Sequence, residues 1–359
     1  MIKINFWLER PPFAIVGFLK PLKQMIGDLL SIYVRDDSVS NRKGFDQEIA
    51  SELGCVFVHK DLSNISASDV AKDSINIING FNSFVYHFLS KQREADKSVV
   101  VGCYTEMPAP MGKMKFIKKT LLRIKYKRIV SNALNNIDFL LPIGQLANNY
   151  YKKIGWNKLS FPFVYIPDIY CNHQTKSIKK FDDASFCYVG RNDFSNKGLN
   201  KLIRIAKNNK KLKLIIVGKY GNDSDKVSRI ACKTSNITHL DSMQPNDVLK
   251  FLSSEKIGCV VVPSNSDGWN PNVYMSLISG TPCIATCQSG SSDLIDKFNY
   301  GYVCGSTYRS LKKAITIFDN SSIEQKKRFA DNAINASPNL LPESIANQLL
   351  NFLETHFSK

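Results

Sequence analysis

The sequence predicts an α/β protein of two doubly wound, Rossmann-like domains. Short, continuous apolar runs recur along the chain with helical stretches between them, and they fall into two series separated by one polar segment. Continuous rather than alternating apolar runs mark strands covered on both faces, as in parallel sheets. Strands that alternate with helices mark doubly wound domains. The length of 359 residues suits about two domains of ordinary size.

In the first half, strands are expected at Ile2–Trp7, Gly54–His59, Ser74–Asn79, Ser98–Tyr104, Phe139–Gly144 and Phe161–Ile166. In the second half they are expected at Ser185–Gly190, Lys213–Gly218, Ile237–Leu240, Ile257–Ser264, Cys283–Cys287 and Tyr302–Gly305. The segment Asp168–Asp183 carries Lys176, Lys179 and Lys180 and lacks apolar periodicity, which places a linker at 171–183. An N-terminal domain over 1–170 and a C-terminal domain over 184–335 follow from it. Beyond Phe318 the pattern reads as two helices broken at Ser337-Pro338. The second, about Pro342–Phe357, repeats Ile345, Leu349, Leu350 and Leu353 at helical spacing and lies in a final segment, 336–359.

Composition is that of a globular protein, with 43% hydrophobic residues. No apolar run reaches the ~18 residues of a membrane span. Met1–Leu8 is too short for a signal peptide and runs straight into Glu9-Arg10-Pro11-Pro12. Nine cysteines are scattered without a zinc-type spacing, which reads as buried free thiols in a reducing cytosol. The net charge of +17 implies an anionic partner. No nucleic-acid-binding module is present in the sequence, so a membrane surface or a phosphorylated substrate is expected.

The apolar run Ile257–Val262, which ends in Pro263-Ser264, and the stretch Asp267–Pro282 read as a buried strand, a polar loop with glycine and proline breaks, a short helix and a Gly-Thr-Pro turn into the next strand. Such a unit aims the free N–H groups of a helix N-terminus above the sheet, where a phosphate is the natural guest. The loop also offers a carboxylate, Asp267, and an aromatic ring, Trp269. Asp267 before Gly268 can equally serve only as a turn residue. Upstream, Arg191 and Lys197 share one loop after a strand. They are either solvated surface cations or a fork and a point charge for a diphosphate.

These residues carry a resemblance. Tyr188-Val189-Gly190-Arg191 with Lys197-Gly198-Leu199, then Leu214–Gly218, then Asp267-Gly268-Trp269 and Gly280-Thr281-Pro282 resemble, in order and spacing, the donor-sugar motifs of retaining, family-four glycosyltransferases of the GT-B fold (glycosyl transferases group 1). The likeness covers roughly 185–305 well and the N-terminal half loosely. The family pattern has Glu-Gly-Phe-Gly where this chain has Asp267-Gly268-Trp269-Asn270. It has a second Glu where this chain has Met275.

The resemblance implies two domains facing across a cleft, with the last helix crossing back to the first domain. It implies that Arg191 and Lys197 hold the donor diphosphate. Gly190, Gly198, Gly268, Trp269, Asn270, Met275 and Gly290 then line the donor site, and Asp267 meets the donor sugar. A UDP- or GDP-linked sugar is the expected substrate, with no cofactor. No Asp-x-Asp pair follows a strand, and Asp182-Asp183 precedes one, so no metal is expected. Without the second Glu, either the ribose is held another way or nucleotide binding is weak. The loop Gln288–Asp293 reads as a phosphate contact or a plain strand-to-helix turn.

On the acceptor side, Gly17 follows the first strand where the family has a glycine-rich loop. Glu106 follows a strand at the face where open α/β sheets bind ligands, as an acceptor-orienting or a surface carboxylate. His87 is expected to pack. Lys113–Arg128 holds eight bases and no acid, among them Lys113, Lys115, Lys118, Lys119, Arg123 and Lys127. Ile117, Leu121 and Ile124 recur there at helical spacing, as in a helix lying on an anionic membrane or one packed on its sheet. The expected activity is retaining transfer to a lipid-linked acceptor at the inner face of the plasma membrane, in surface-polysaccharide or lipopolysaccharide assembly. A sugar-nucleotide epimerase and a non-catalytic binding subunit are the alternatives.

Overall fold

Runs such as Ile257–Val262, buried at every position, form strands that need cover on both faces, and helices supply it. The computed structural model describes residues 2–9, 15–35, 47–64, 66, 72–81, 83–108, 115–169, 179–182 and 184–358. The chain divides into two units. One comprises 1–108, 116–168 and 342–359, and the other 109–115 and 169–341.

The first unit holds seven strands: β1 (Lys3–Leu8), β2 (Leu30–Arg35), β3 (Cys55–Val58), β4 (Ser74–Asn79), β5 (Val100–Thr105), β6 (Phe139–Pro142) and β7 (Leu159–Ser160). They pair in parallel in the order β3-β2-β1-β4-β5-β6-β7. β2 is absent from the sequence reading. Only the turn Gly27–Leu29 separates it from the helix Val16–Ile26, and Ser31 interrupts its apolar run. The expected strand Phe161–Ile166 is largely irregular. Phe161 and Phe163 still donate to the Leu140 and Pro142 carbonyls, but Pro162 cannot donate and the pairing ends at one bridge.

The closing helix, Pro342–Phe357, belongs to this unit. It packs on the helix Val16–Ile26 through a stripe that includes Ile345, Leu349 and Leu353, and Phe352 stacks on Phe161 with centroids 5.3 Å apart. Gly17 begins the helix it packs on. A Cβ there would lie 2.1 Å from the Pro167 carbonyl oxygen, so its missing side chain serves backbone packing rather than an open glycine-rich loop. His87 is exposed on the helix Tyr86–Ala95 and does not pack in the core as expected.

The second unit holds β8 (Ser185–Val189), β9 (Leu214–Val217), β10 (Ile237–Leu240), β11 (Ile257–Val262), β12 (Cys283–Thr286) and β13 (Gly301–Cys304). Their parallel order is β10-β9-β8-β11-β12-β13. Both orders reverse direction next to their first strand, at β1/β4 and β8/β11. Ligands of open α/β sheets bind at such switch points, beyond the carboxyl ends of the strands. Leu340 is tied into this unit by the Tyr274 hydroxyl, which donates to its carbonyl at 2.9 Å, so the return to the first unit starts at Pro342. The described cysteines are all free thiols.

The centre of the first sheet is polar. Asn5 and Asn76, adjacent on β1 and β4, are fully buried. The Trp7 indole N–H donates to Asn76 Oδ1 at 3.0 Å, and the Asn5 amide donates to Ser74 Oγ at 2.9 Å. Buried donors are tolerated when paired and costly when not. Asn76→Ala removes the Trp7 acceptor, and urea denaturation is expected to show a loss of about 1–3 kcal/mol for that orphaned donor.

Candidate functional site

The switch point β8/β11 gathers the two loops singled out in the sequence. Gly190 ends β8 with φ +132°. The loop it opens runs to Gly198, which caps the helix Leu199–Asn208 at φ +67° and presses so close to the other loop that a Cβ would sit 2.1 Å from the Pro263 carbonyl oxygen. Cross-bonds stitch the loops together. Asn265 N–H donates to the Asn196 carbonyl at 2.7 Å, the Asn265 amide to the Ser195 carbonyl at 2.8 Å, and Lys201 Nζ to Asn265 Oδ1 at 2.7 Å. Asp193 braces the upstream loop by accepting from Asn196 N at 2.9 Å and Nδ2 at 3.1 Å. Burial pushes the Asp193 carboxyl up, but these bonds and nearby Arg191 outweigh it and hold it below the usual range.

Asp267 is where the loops converge. Its Oδ2 accepts from Lys197 Nζ at 2.6 Å, from Asn270 Nδ2 at 2.9 Å and from Ser264 Oγ at 3.2 Å. Among the described residues, no donor reaches Oδ1. The Lys197 side chain is 22% exposed and that of Asp267 10%, so the pair is largely shielded from water. Arg191 is looser, 47% exposed and 3.5 Å from Asp193.

The helix Pro271–Ile278 corrects one expectation. Its N-terminal N–H groups are already used. Pro271 has none, the N–H of Asn272 donates to Asn270 Oδ1 at 3.0 Å, and that of Val273 donates to the Asn270 carbonyl at 3.3 Å. Among the described residues, the backbone N–H groups of Gly268 and Trp269 have no acceptor, so open donors lie in the loop rather than on the helix. The indole Nε1 of Trp269 is buried and likewise without an acceptor among the described residues.

The remaining residues separate. Met275 is 4% exposed on the helix. Gly290 lets two loops touch, since a Cβ there would lie 1.6 Å from the Gly268 carbonyl oxygen, and its N–H donates to the Asp267 carbonyl at 3.1 Å. It braces the site rather than facing a ligand. Ser289 and Ser291 next to it are fully buried, and Ser291 Oγ donates to the Asn270 carbonyl at 2.8 Å, so the loop Gln288–Asp293 is built mainly as a support. In the turn Gly280-Thr281-Pro282, Thr281 is buried and donates to the Leu252 carbonyl at 2.8 Å.

Glu106 lies in the first unit, at the carboxyl end of β5. Its carbonyl accepts from Tyr151 OH at 2.7 Å. Desolvation pushes the Tyr165 phenol up, and the charge of Glu106 beside it adds to the shift. At that unit's own switch point stands Glu9, which the sequence reading passed over as the end of an apolar run. Its carboxylate binds Arg35 Nη1 at 2.8 Å and accepts from the Phe84 N–H. An acidic residue directly after the first strand is the signal that would have found it.

In the basic helix Lys115–Ala133, Leu121 is 60% exposed and Ile124 52% exposed, with Arg123 and Lys127 exposed beside them, while Val130 and Ala133 are buried. Lys113 lies outside the described residues, and so do the side chains of Lys115, Lys118 and Lys119. No group of residues suited to hold a metal occurs among the described residues.

Comparisons with known proteins give one family pattern and one fold. The pattern of glycosyl transferases group 1 matches residues 172–336. No curated protein matches the chain in sequence. Among solved structures, Anabaena HepE in complex with UDP superposes with a TM-score of 0.74 at 12% identity, covering 99% of this chain and 100% of that one. Sucrose-phosphate synthase from Thermosynechococcus elongatus superposes with a TM-score of 0.68 at 14% identity, covering 99% and 98%. WaaG, a glycosyltransferase involved in lipopolysaccharide biosynthesis, superposes with a TM-score of 0.56 at 15% identity, covering 96% and 99%. Two parallel sheets and a closing helix returned to the first of them make this chain a GT-B protein, and its C-terminal unit matches the pattern of glycosyl transferases group 1.

Proposed function

We propose that the protein transfers a sugar, with retained configuration and without metal, from a nucleotide-sugar donor to a lipid-linked acceptor at the inner face of the plasma membrane, in surface-polysaccharide assembly. The observation that carries the reading is the Lys197–Asp267 pair at the β8/β11 switch point, with Arg191 half-exposed in the same loop as Lys197. The UDP bound in the HepE structure supports a uridine diphosphate donor, with GDP as the alternative. WaaG's part in lipopolysaccharide synthesis supports the acceptor class.

The bond between the sugar's anomeric carbon and the diphosphate oxygen breaks, and its electron pair stays on the diphosphate. Fixed cations stabilise that growing charge. An ammonium has three donors, so Lys197 can keep Asp267 and still serve phosphate oxygens, while Arg191 offers a planar fork. Asp267, through Oδ1, meets the sugar as it becomes cationic. The acceptor oxygen attacks from the face the diphosphate leaves, and its proton passes to the departing phosphate oxygen. Glu106 orients the acceptor hydroxyl. Met275 cannot bond the donor ribose as a carboxylate would, so the ribose is held elsewhere. That residue also favours the second reading, a binding subunit, against which the Lys197–Asp267 pair stands.

The basic helix supplies the membrane contact. Leu121 and Ile124, exposed among bases, suit a surface of anionic headgroups over acyl chains. Each base near such a surface contributes about 1 kcal/mol. No helix among the described residues is long and apolar enough to cross a membrane.

A thermal-shift screen of nucleotide sugars, followed by turnover of the hits with a lipid-linked acceptor, tests the activity. Arg191→Ala and Lys197→Ala are each expected to cost about 2.7–4 kcal/mol in the transition state, a loss of roughly 100- to 1000-fold in kcat. Turnover within tenfold of wild type by the folded variants overturns the diphosphate assignment. Activity is expected to persist in EDTA; its full loss, with recovery on adding Mg²⁺ or Mn²⁺, refutes a metal-free mechanism. Co-sedimentation with anionic liposomes should weaken with salt, which screens charge beyond about 8 Å at physiological ionic strength. It should weaken further in Leu121→Ala/Ile124→Ala and in Arg123→Gln/Lys127→Gln. Equal binding to neutral and anionic vesicles removes the membrane assignment.

A further inference from the structure

Asp267 stands where the family pattern has Glu, one methylene longer, and Asn270 stands where that pattern has Gly. Both departures meet in one contact. The Asn270 side chain is used at both ends: Nδ2 donates to Asp267 Oδ2 at 2.9 Å, and Oδ1 accepts from the Asn272 N–H at 3.0 Å. The residue is 5% exposed, and its carbonyl accepts from Ser291 Oγ at 2.8 Å, so it cannot swing away. The helix it caps is anchored in turn, because the Asn272 amide donates to the Val189 carbonyl, at the end of β8, at 3.0 Å.

We infer that Asn270 is a positioning residue that fixes the orientation of Asp267. Together with Lys197 and Ser264 it occupies Oδ2, and so presents Oδ1 to the donor sugar. The short carboxylate is held by a rigid amide based on a helix end, and a glycine at 270 could not do this. The inference rests on the donor-site reading above and adds to it the division of labour between the two carboxylate oxygens.

Capping and positioning can be separated. Asn270→Ser keeps a good N-cap acceptor for the Asn272 N–H but is too short to reach Asp267. Asn270→Asp keeps the cap and the shape but faces Asp267 with an acceptor instead of a donor. Asn270→Ser is expected to keep the melting temperature close to wild type, and Asn270→Asp to lower it by setting a second carboxylate against a shielded one. Both are expected to bind UDP, measured by calorimetry, within about threefold, since UDP lacks the sugar. Their kcat is expected to fall about 10- to 100-fold, the scale on which a misplaced group acts, with the larger loss in Asn270→Asp.

The decisive comparison is a double-mutant cycle. If Asn270 acts through Asp267, Asn270→Ser has no further effect on kcat in an Asp267→Ala background. Equal losses in both backgrounds overturn the inference. So does a kcat within threefold of wild type in either single variant, or a loss of UDP affinity as large as the loss of kcat. If Asn270→Ser does not fold, Asn270→Asp carries the same cycle. A wild-type protein that binds no nucleotide and turns over no donor removes the donor-site reading itself, and the inference with it. An active wild type with an additive cycle removes the inference alone.

Discussion

One carboxylate oxygen organises the C-terminal unit's crevice. Asp267 Oδ2 takes donors from the loop after β8, from the end of β11 and from the start of the next helix. Two donors from its own loop and one from 70 positions upstream, Lys197, are thereby fixed against one atom. A charge shielded to this degree is costly unless well supplied with donors. The glycines around it follow from the same crowding. Gly198 and Gly290 stand where backbone meets backbone, so that the loops can come close enough to reach Asp267.

Parallel pairing explains why the crevice lies where it does. Both sheets place their first strand in the interior and wind outward in two directions. The carboxyl ends of β8 and β11 therefore adjoin without a helix between them, and the loops above them are free to face a ligand. The first unit has the same opening, but there Glu9 and Arg35 pair across β1 and β2. One architecture thus places an ion pair at the switch point of each unit, with the half-exposed Arg191 beside the pair in the second.

Local pattern made much of this legible. Ser74–Asn79 and Ile237–Leu240 are strands over the very residues that the sequence marks, the first because its isoleucines outweigh the buried Asn76 among them and the second because turn residues bound it. Leu30–Arg35 was hidden because a three-residue turn joins it to a helix of similar composition. At the candidate site, motif order and spacing single out Arg191, Lys197 and Asp267, and the structure places all three in the loops after β8 and β11. They could not show which donors Asp267 holds, since those partners meet only after the sheet has formed. The sequence Asn270-Pro271 was a legible cap, an acceptor side chain followed by a residue without an N–H, and reading it as an open phosphate cradle overlooked that chemistry.

The helix Pro342–Phe357 completes a unit whose other parts precede residue 169. During synthesis, the second unit's segment 169–341 leaves the ribosome in one continuous piece, ahead of the last element of the first. Domains fold as units as they emerge, so the later-encoded unit can reach its native state while the earlier one still exposes the helix Val16–Ile26 and the rings of Phe139 and Phe161. The unit translated later can thus mature first, while the earlier one waits for its last helix to cover that apolar surface.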